Sequence, residues 1–186
     1  MPAKAMNRRQ LLLGAGLALP MLWLGGRNQR AVAMSDALGE AVDFEPLVLS
    51  DAQWREILSP AAYRVLRDEG TERAGSSPLD SIYDPGTYVC AGCNLALFSS
   101  EHKYDSGTGW PSFWQPIHES HIGTKRDFKL IWPRTEYHCA RCGGHQGHVF
   151  DDGPPPTGQR WCNNGVALQF IPDGEPLPAL RTSADG

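Results

Sequence analysis

Cys90-Ala91-Gly92-Cys93 and Cys139-Ala140-Arg141-Cys142 repeat one spacing, Cys-x-x-Cys, on either side of a domain-sized loop. Strand-like residues lead into each, Thr87-Tyr88-Val89 before the first and Tyr137-His138 before the second. A tetrahedral zinc ion takes four thiolates, and two such turns supply them. Disulfides are the competing use of four cysteines in an oxidising compartment, but a Cys-x-x-Cys disulfide closes a very small ring. The spacing predicts one structural zinc per chain, held by Cys90, Cys93, Cys139 and Cys142. Four thiolates leave no open position for substrate, so the ion would tie two distant hairpins together.

The residues around these knuckles are short apolar runs: Leu95–Phe98, Phe128–Trp132, His148–Phe150 and Val166–Ile171. Glycine (20) and proline (15) are frequent enough to punctuate every run, which favours turns and short strands over long helices. The fold class expected is mainly β, with antiparallel sheets closed by the metal site and not alternating βαβ units. Upstream, Ser50 reads as a helix cap, with Trp54, Ile57 and Leu58 on one face. Ser59-Pro60 starts a second short helix carrying Tyr63, Val65 and Leu66, with Gly70 as its terminator. Residues 50–172 then form the domain, 34–49 a linker, and 173–186 a flexible tail.

The first 33 residues read as an address. Asn7-Arg8-Arg9-Gln10 precedes an uncharged run, Leu11–Leu24, too short for a comfortable membrane span, and Ala31-Val32-Ala33 is a cleavage pattern. This resembles a twin-arginine export signal. It implies a periplasmic protein that begins at Met34 and meets the membrane only during export. Lys4, Arg8, Arg9, Arg27 and Arg30 carry all the charge of this segment, so its removal takes the formal net charge from −4 to −9. A domain this acidic repels phosphates, which argues against nucleic acid as a partner.

Five cysteines less four leaves Cys162, in Arg160-Trp161-Cys162-Asn163-Asn164. A lone thiol in a chain with several histidines is a candidate nucleophile. It attacks as thiolate, and a neighbouring cation raises the ionised fraction. On a strand, residues two apart share a face, so Arg160, Cys162 and Asn164 are expected to converge. Two further stretches stand out. His145-Gln146-Gly147-His148-Val149-Phe150 sets two histidines three apart. Gly107-Thr108-Gly109-Trp110-Pro111-Ser112-Phe113-Trp114 crowds three aromatics into a loop. On their own the loop reads as a lid on the core, and the histidines as hydrogen-bonded turn residues.

Together, Gly109-Trp110-Pro111-Ser112-Phe113, His145–Phe150 and Arg160–Asn164, framed by the two knuckles, resemble the B-type methionine sulfoxide reductases. Gly70-Thr71-Glu72 and Leu97-Phe98 fit as well, and the likeness runs from about Trp54 to Phe170. It implies reduction of the R epimer of methionine sulfoxide in oxidised proteins or peptides, on an antiparallel β fold with short N-terminal helices and a structural zinc. By the same likeness Cys162 is the nucleophile. His148 and His145 bind the sulfoxide oxygen, Asn164 and Arg160 shape the polar side, and Trp110 takes the S-methyl group. Thr108 stands where many relatives carry a recycling cysteine, which implies an external, thioredoxin-like dithiol reductant. Asn163-Asn164-Gly165 departs from the apolar residue, Asn, Ser more usual there, and Trp161 replaces a smaller aromatic. Two rival readings remain: a non-catalytic zinc module that binds a protein partner, with Cys162 as a buried small hydrophobe, and a cysteine hydrolase using Cys162, His148 and Asn164.

Overall fold

The computed structural model describes residues 43–128 and 133–182. The expected export signal and the end of the tail lie outside these residues. Two seven-residue helices open the domain, α1 (Asp51–Ile57) and α2 (Pro60–Leu66). Ser50 caps α1 reciprocally with Gln53: the Gln53 N–H reaches the Ser50 hydroxyl and the Ser50 N–H reaches Gln53 Oε1. Ser59 caps α2 with Pro60 at its first position. Gly70 is not the left-handed terminator expected. Glu69 takes that conformation (φ 53°), and the Gly70 N–H returns to the Arg64 carbonyl. Trp54 and Val65, 1% and 0% exposed, turn these helices onto the sheets.

Nine strands follow. β1 (Gly86–Cys90), β2 (Ala96–Ser99) and β9 (Leu168–Pro172) form a three-stranded sheet in the order β2-β1-β9. β3 (Lys103–Tyr104), β4 (Ser112–Phe113), β5 (Ile122–Asp127), β6 (Arg134–Cys139), β7 (His145–Phe150) and β8 (Arg160–Asn163) form the second sheet, in the order β3-β4-β8-β7-β6-β5. Every strand pairing is antiparallel. Phe128, expected to begin a strand, is exposed and lies just past β5; residues 129–132 fall outside the described segments. The sheets meet through aromatic rings. Phe98 stacks on Phe113 at 4.4 Å, Tyr88 meets Phe113 edge-on at 4.9 Å, and Phe98 meets Tyr137 edge-on at 6.1 Å.

Two segments expected to be loose are attached to the first and second knuckles. In the expected linker, Leu47 is buried and its N–H bonds the Arg141 carbonyl. In the expected tail, the Arg181 N–H and Nε donate to the Cys93 and Gly92 carbonyls, and Arg141 Nη2 donates to the Arg181 carbonyl. The tail is held because the backbone N–H and the guanidinium of one residue donate to knuckle carbonyls that the sheet leaves open.

β7 and β8 lie closest where Gly147 faces the Cys162 carbonyl, and a Cβ at 147 would overlap that oxygen. This approach sets the register Gly147↔Asn163, His148↔Cys162. Gly147→Ala should therefore destabilise the domain by about 3 kcal/mol through overpacking. Urea unfolding monitored by tryptophan fluorescence reads this directly, and an unchanged midpoint would show that the strands can part without cost.

Candidate functional site

β8 alternates. Trp161 and Asn163 are buried toward the core, while Arg160 and Cys162 face outward at intermediate exposure. Cys162 sits mid-sheet, paired with Ser112 of β4 on one side and His148 of β7 on the other. The face-sharing expected for Arg160 and Cys162 holds. It does not extend through residue 170, because a 3-10 turn at Gly165–Ala167 carries the chain into the other sheet. Cys162 lines a cleft of about 260 Å³ with Trp110, His148, Phe150, Arg160 and Asn164. A larger groove, about 540 Å³, runs along Gln115–Glu119 past Trp161. It contains no cysteine, so the chemistry points to the smaller cleft.

Residues three apart on a regular strand face opposite ways. His145 and His148 nonetheless lie with ring centroids 5.4 Å apart. The cause is an irregularity in the β6–β7 ladder: Tyr137 pairs with Gly147 but His138 pairs with His145, so Gln146 is the extra residue. Each imidazole is backed by a carboxylate. Nδ1 of His145 lies 2.9 Å from Glu136 Oε1, and Nε2 of His148 lies 2.8 Å from Asp127 Oδ2. A carboxylate accepts, so these partners assign the ring protons to Nδ1 of His145 and Nε2 of His148. Nε2 of His145 is then a lone-pair nitrogen, buried with no hydrogen-bond partner. Glu136 also binds Lys125 at 2.9 Å, and Asp127 binds Arg134 at 2.8 Å.

Arg160 grips Asp152 with two bonds of 2.8 and 2.9 Å, and its guanidinium lies over the Phe150 ring at 4.2 Å. Sharing its charge with Asp152 limits what Arg160 does for the thiol. Burial pushes the Cys162 thiol above its usual range, while Arg160, Thr108 and Ser112 pull it back only in part. The sequence expectation of a thiolate favoured by Arg160 thus meets a larger, opposing desolvation cost. Burial likewise lowers the His148 pKa, partly offset by Asp127, so the ring is neutral near neutral pH.

Asn164 lines the cleft but ties most of its amide to the backbone behind it. Its Oδ1 accepts from the Glu72 N–H and its Nδ2 donates one proton to the Gln146 carbonyl, both at 2.9 Å. The second Nδ2 proton is the donor it keeps. Glu72, named in the sequence only as part of the resemblance and given no role there, is the hub of this wall. Its carboxylate accepts from the Gly165 and Val166 N–H groups at 2.6 and 3.1 Å, and its carbonyl takes the Trp110 indole N–H at 3.2 Å. Glu136, Asp127 and Asp152 were missed too. The available signal was strand parity: Glu136 lies directly across from His148 once β6 and β7 are paired.

The four remaining sulfurs meet as expected. Cys90, Cys93, Cys139 and Cys142 are buried, and their Sγ atoms lie within 4.8 Å of one another. Cys90–Cys142 and Cys93–Cys139 are separated by 3.7 and 3.5 Å. Disulfide sulfurs sit at about 2.05 Å, whereas a tetrahedral ion with metal–sulfur bonds of about 2.3 Å holds its sulfurs about 3.8 Å apart. The spacing fits a metal ion. Four thiolates so close together would repel one another, and a cation bound between them balances their charge.

An antiparallel β domain with a four-thiol cluster and a cysteine paired with a carboxylate-backed histidine, a second such histidine behind it, defines a class of thiol-dependent redox proteins. The SelR domain model matches residues 58–172, and the chain belongs to this family, the B-type methionine sulfoxide reductases. A peptide methionine sulfoxide reductase MsrB of Bradyrhizobium diazoefficiens is 50% identical over 139 residues, covering 75% of this chain and 99% of that protein. The proteins of that name from Leptospira interrogans and Agrobacterium fabrum are 50% and 49% identical over 121 and 123 residues. Those matches cover 65% and 66% of this chain, and 92% and 91% of the relatives.

His102, His121, His138 and His148 all titrate below the ordinary 6.5, with burial the first cause in each. Below the unfolded-state value the unfolded chain takes up protons that the folded chain resists. Stability present above about pH 6.5 is therefore lost as the pH falls toward the depressed values. The urea midpoint of metal-loaded protein should drop between about pH 7.5 and 5.5 at constant metal content, and a flat or rising midpoint contradicts the assignment.

Proposed function

We propose that this chain reduces methionine (R)-sulfoxide in peptides and proteins to methionine, using Cys162 as nucleophile. The observation that carries the reading is the register His148↔Cys162, which sets a thiol beside a neutral imidazole in a cleft walled by Trp110. A sulfoxide has a polar oxygen and an apolar methyl on one sulfur. Trp110 suits the methyl, and its indole is aimed by the hydrogen bond to Glu72. His148, with His145 behind it, suits the oxygen: with Nε2–H held by Asp127, its Nδ1 lone pair can take the proton of the attacking thiol, and the imidazolium so formed returns it to the oxygen as the S–O bond breaks. The cysteine sulfur attacks, the S–O bond breaks, and the oxygen passes to Cys162 as a sulfenic acid. The substrate gains two electrons and the cysteine loses two. An external dithiol, thioredoxin-like in chemistry, then returns both electrons, forming its own disulfide and water. The other four thiols of the chain belong to the cluster, which leaves Cys162 without an internal resolving thiol.

The reading includes one structural zinc per chain on Cys90, Cys93, Cys139 and Cys142. Zinc would neutralise the sulfurs and hold the knuckles, with no part in the reaction. It also includes twin-arginine export by residues 1–33 and a periplasmic location, supported by the paired arginines and the Ala31-Val32-Ala33 pattern. Mass spectrometry of protein recovered from the periplasm should give Met34 as the first residue, and an intact N-terminus would defeat the export reading.

The decisive assay uses separated R and S sulfoxides of a blocked methionine, with and without a dithiol. Only the R epimer should be consumed over many turnovers, and only with dithiol present; Cys162→Ser should lose roughly 10³-fold or more. Turnover without any reductant would instead favour a hydrolase. Trp110→Ala should act chiefly on KM, raising it roughly tenfold, as loss of a methyl pocket does. An unchanged KM would remove Trp110 from substrate binding.

A further inference from the structure

Three linked hydroxyl groups, two of them beside Cys162, have no role in the reaction described above. Ser106 Oγ is 2.8 Å from Thr108 Oγ1 and 2.8 Å from Ser112 Oγ. Ser112 in turn donates to the Trp110 carbonyl at 3.0 Å. Ser112 is 1% exposed and is the cross-strand partner of Cys162. Thr108 lines the cleft beside Cys162. Ser112 is thus the cross-strand neighbour of Cys162 and Thr108 shares its cleft, and Ser106, joined to each, closes the chain behind them.

We propose that Thr108, Ser106 and Ser112 form a reversible hydroxyl relay, with Ser106 as its positioning hub, that turns its protons toward the Cys162 sulfur when it is ionised and away when it is protonated. Each hydroxyl has a single proton, and this fixes two orders. With a protonated thiol, S–H donates to Thr108, Thr108 to Ser106, Ser106 to Ser112, and Ser112 to the Trp110 carbonyl. An ionised sulfur can only accept. Thr108 and Ser112 then both turn to it, and Ser106, with one proton, donates to one of them and stays within reach of the other. The Trp110 carbonyl gives up its donor in this second order. The charge on the sulfur is thereby felt in the loop that carries the indole.

The groups facing Cys162 from other elements make such a relay useful. Arg160 on β8 is shared with Asp152, His148 on β7 is bonded to Asp127, and Tyr104 and Tyr137 approach from β3 and β6. Arg134 reaches the same cleft but is paired with Asp127. None of the cations is free to serve the sulfur alone, so rotating hydroxyls take part of that task. A sulfur that must persist after oxidation until an outside reductant arrives needs such neighbours. In this respect the relay deepens the reductase reading and rests on it.

The test follows alkylation of Cys162 by iodoacetamide against pH, in metal-loaded protein with no sulfoxide present, read on the Cys162 peptide by mass spectrometry. Ser106→Ala should move the midpoint upward by about half a unit, seen as roughly threefold slower alkylation below the midpoint. Thr108→Val, which keeps volume and removes the hydroxyl, should move it in the same direction, and Ser106→Thr should restore the original profile. An unmoved midpoint in Ser106→Ala overturns the relay. So does an equal shift in Ser106→Thr, which would mark local packing as the cause. Should Ser106→Ala fail to fold, Thr108→Val decides by the same criterion. Because the assay omits substrate, a shifted midpoint in a protein unable to reduce sulfoxides would sustain the relay and sink the reductase reading.

Discussion

Four sulfurs crowded into a space under 5 Å across are the constraint on which the remaining structure rests. They join the end of β1 in one sheet to the end of β6 in the other. The consequence reaches the cleft through a short series of contacts. Gln146 Nε2 lies 3.4 Å from Cys90 Sγ, and the Gln146 carbonyl holds both the N–H and the amide of Asn164. Asn164 holds the Glu72 N–H, and Glu72 holds the Trp110 indole. A metal in the cluster would thus brace the far wall of the cleft without touching substrate. Buried polar series of this kind hold one arrangement through their satisfied members, and here Gln146 Oε1 is the one atom left without a partner.

Burial dominates the electrostatics of the cleft. It raises the Cys162 thiol and lowers His148, leaving both neutral at rest. Asp127 and Glu136 fix which nitrogen of each imidazole carries the proton, and Lys125 and Arg134 share those carboxylates. Charge is therefore held in pairs one step behind the reacting groups. Such a site suits a reaction in which charge appears on the substrate oxygen and is removed by a proton in the same step.

Much of this was legible in the residues because strong local rules applied. Ser50 and Ser59 obey helix-cap chemistry, and the twin Cys-x-x-Cys turns obey ligand spacing. The exposure of Arg160 and Cys162 on one face follows from strand alternation. What escaped depended on pairing across the chain. The bulge at Gln146 has no sequence signature, yet it alone brings His145 round to His148. Asn164 looked like a cleft donor, but distant backbone groups of Glu72 and Gln146 claim most of its amide. The segment 173–182 looked loose because its anchors are distant in sequence: Arg181 binds carbonyls of residues 92 and 93, and the Ala179 carbonyl accepts from Asn94.

The central claim is that oxygen leaves the substrate for Cys162 while the cluster sulfurs stay out of the chemistry. The most direct measurement is a single turnover with one equivalent of R-sulfoxide and no reductant, trapped with dimedone and mapped by peptide mass spectrometry. The account predicts a dimedone adduct on Cys162 alone, with Cys90, Cys93, Cys139 and Cys142 unoxidised. A disulfide joining Cys162 to any of those four, or methionine formed with Cys162 unchanged, would contradict it.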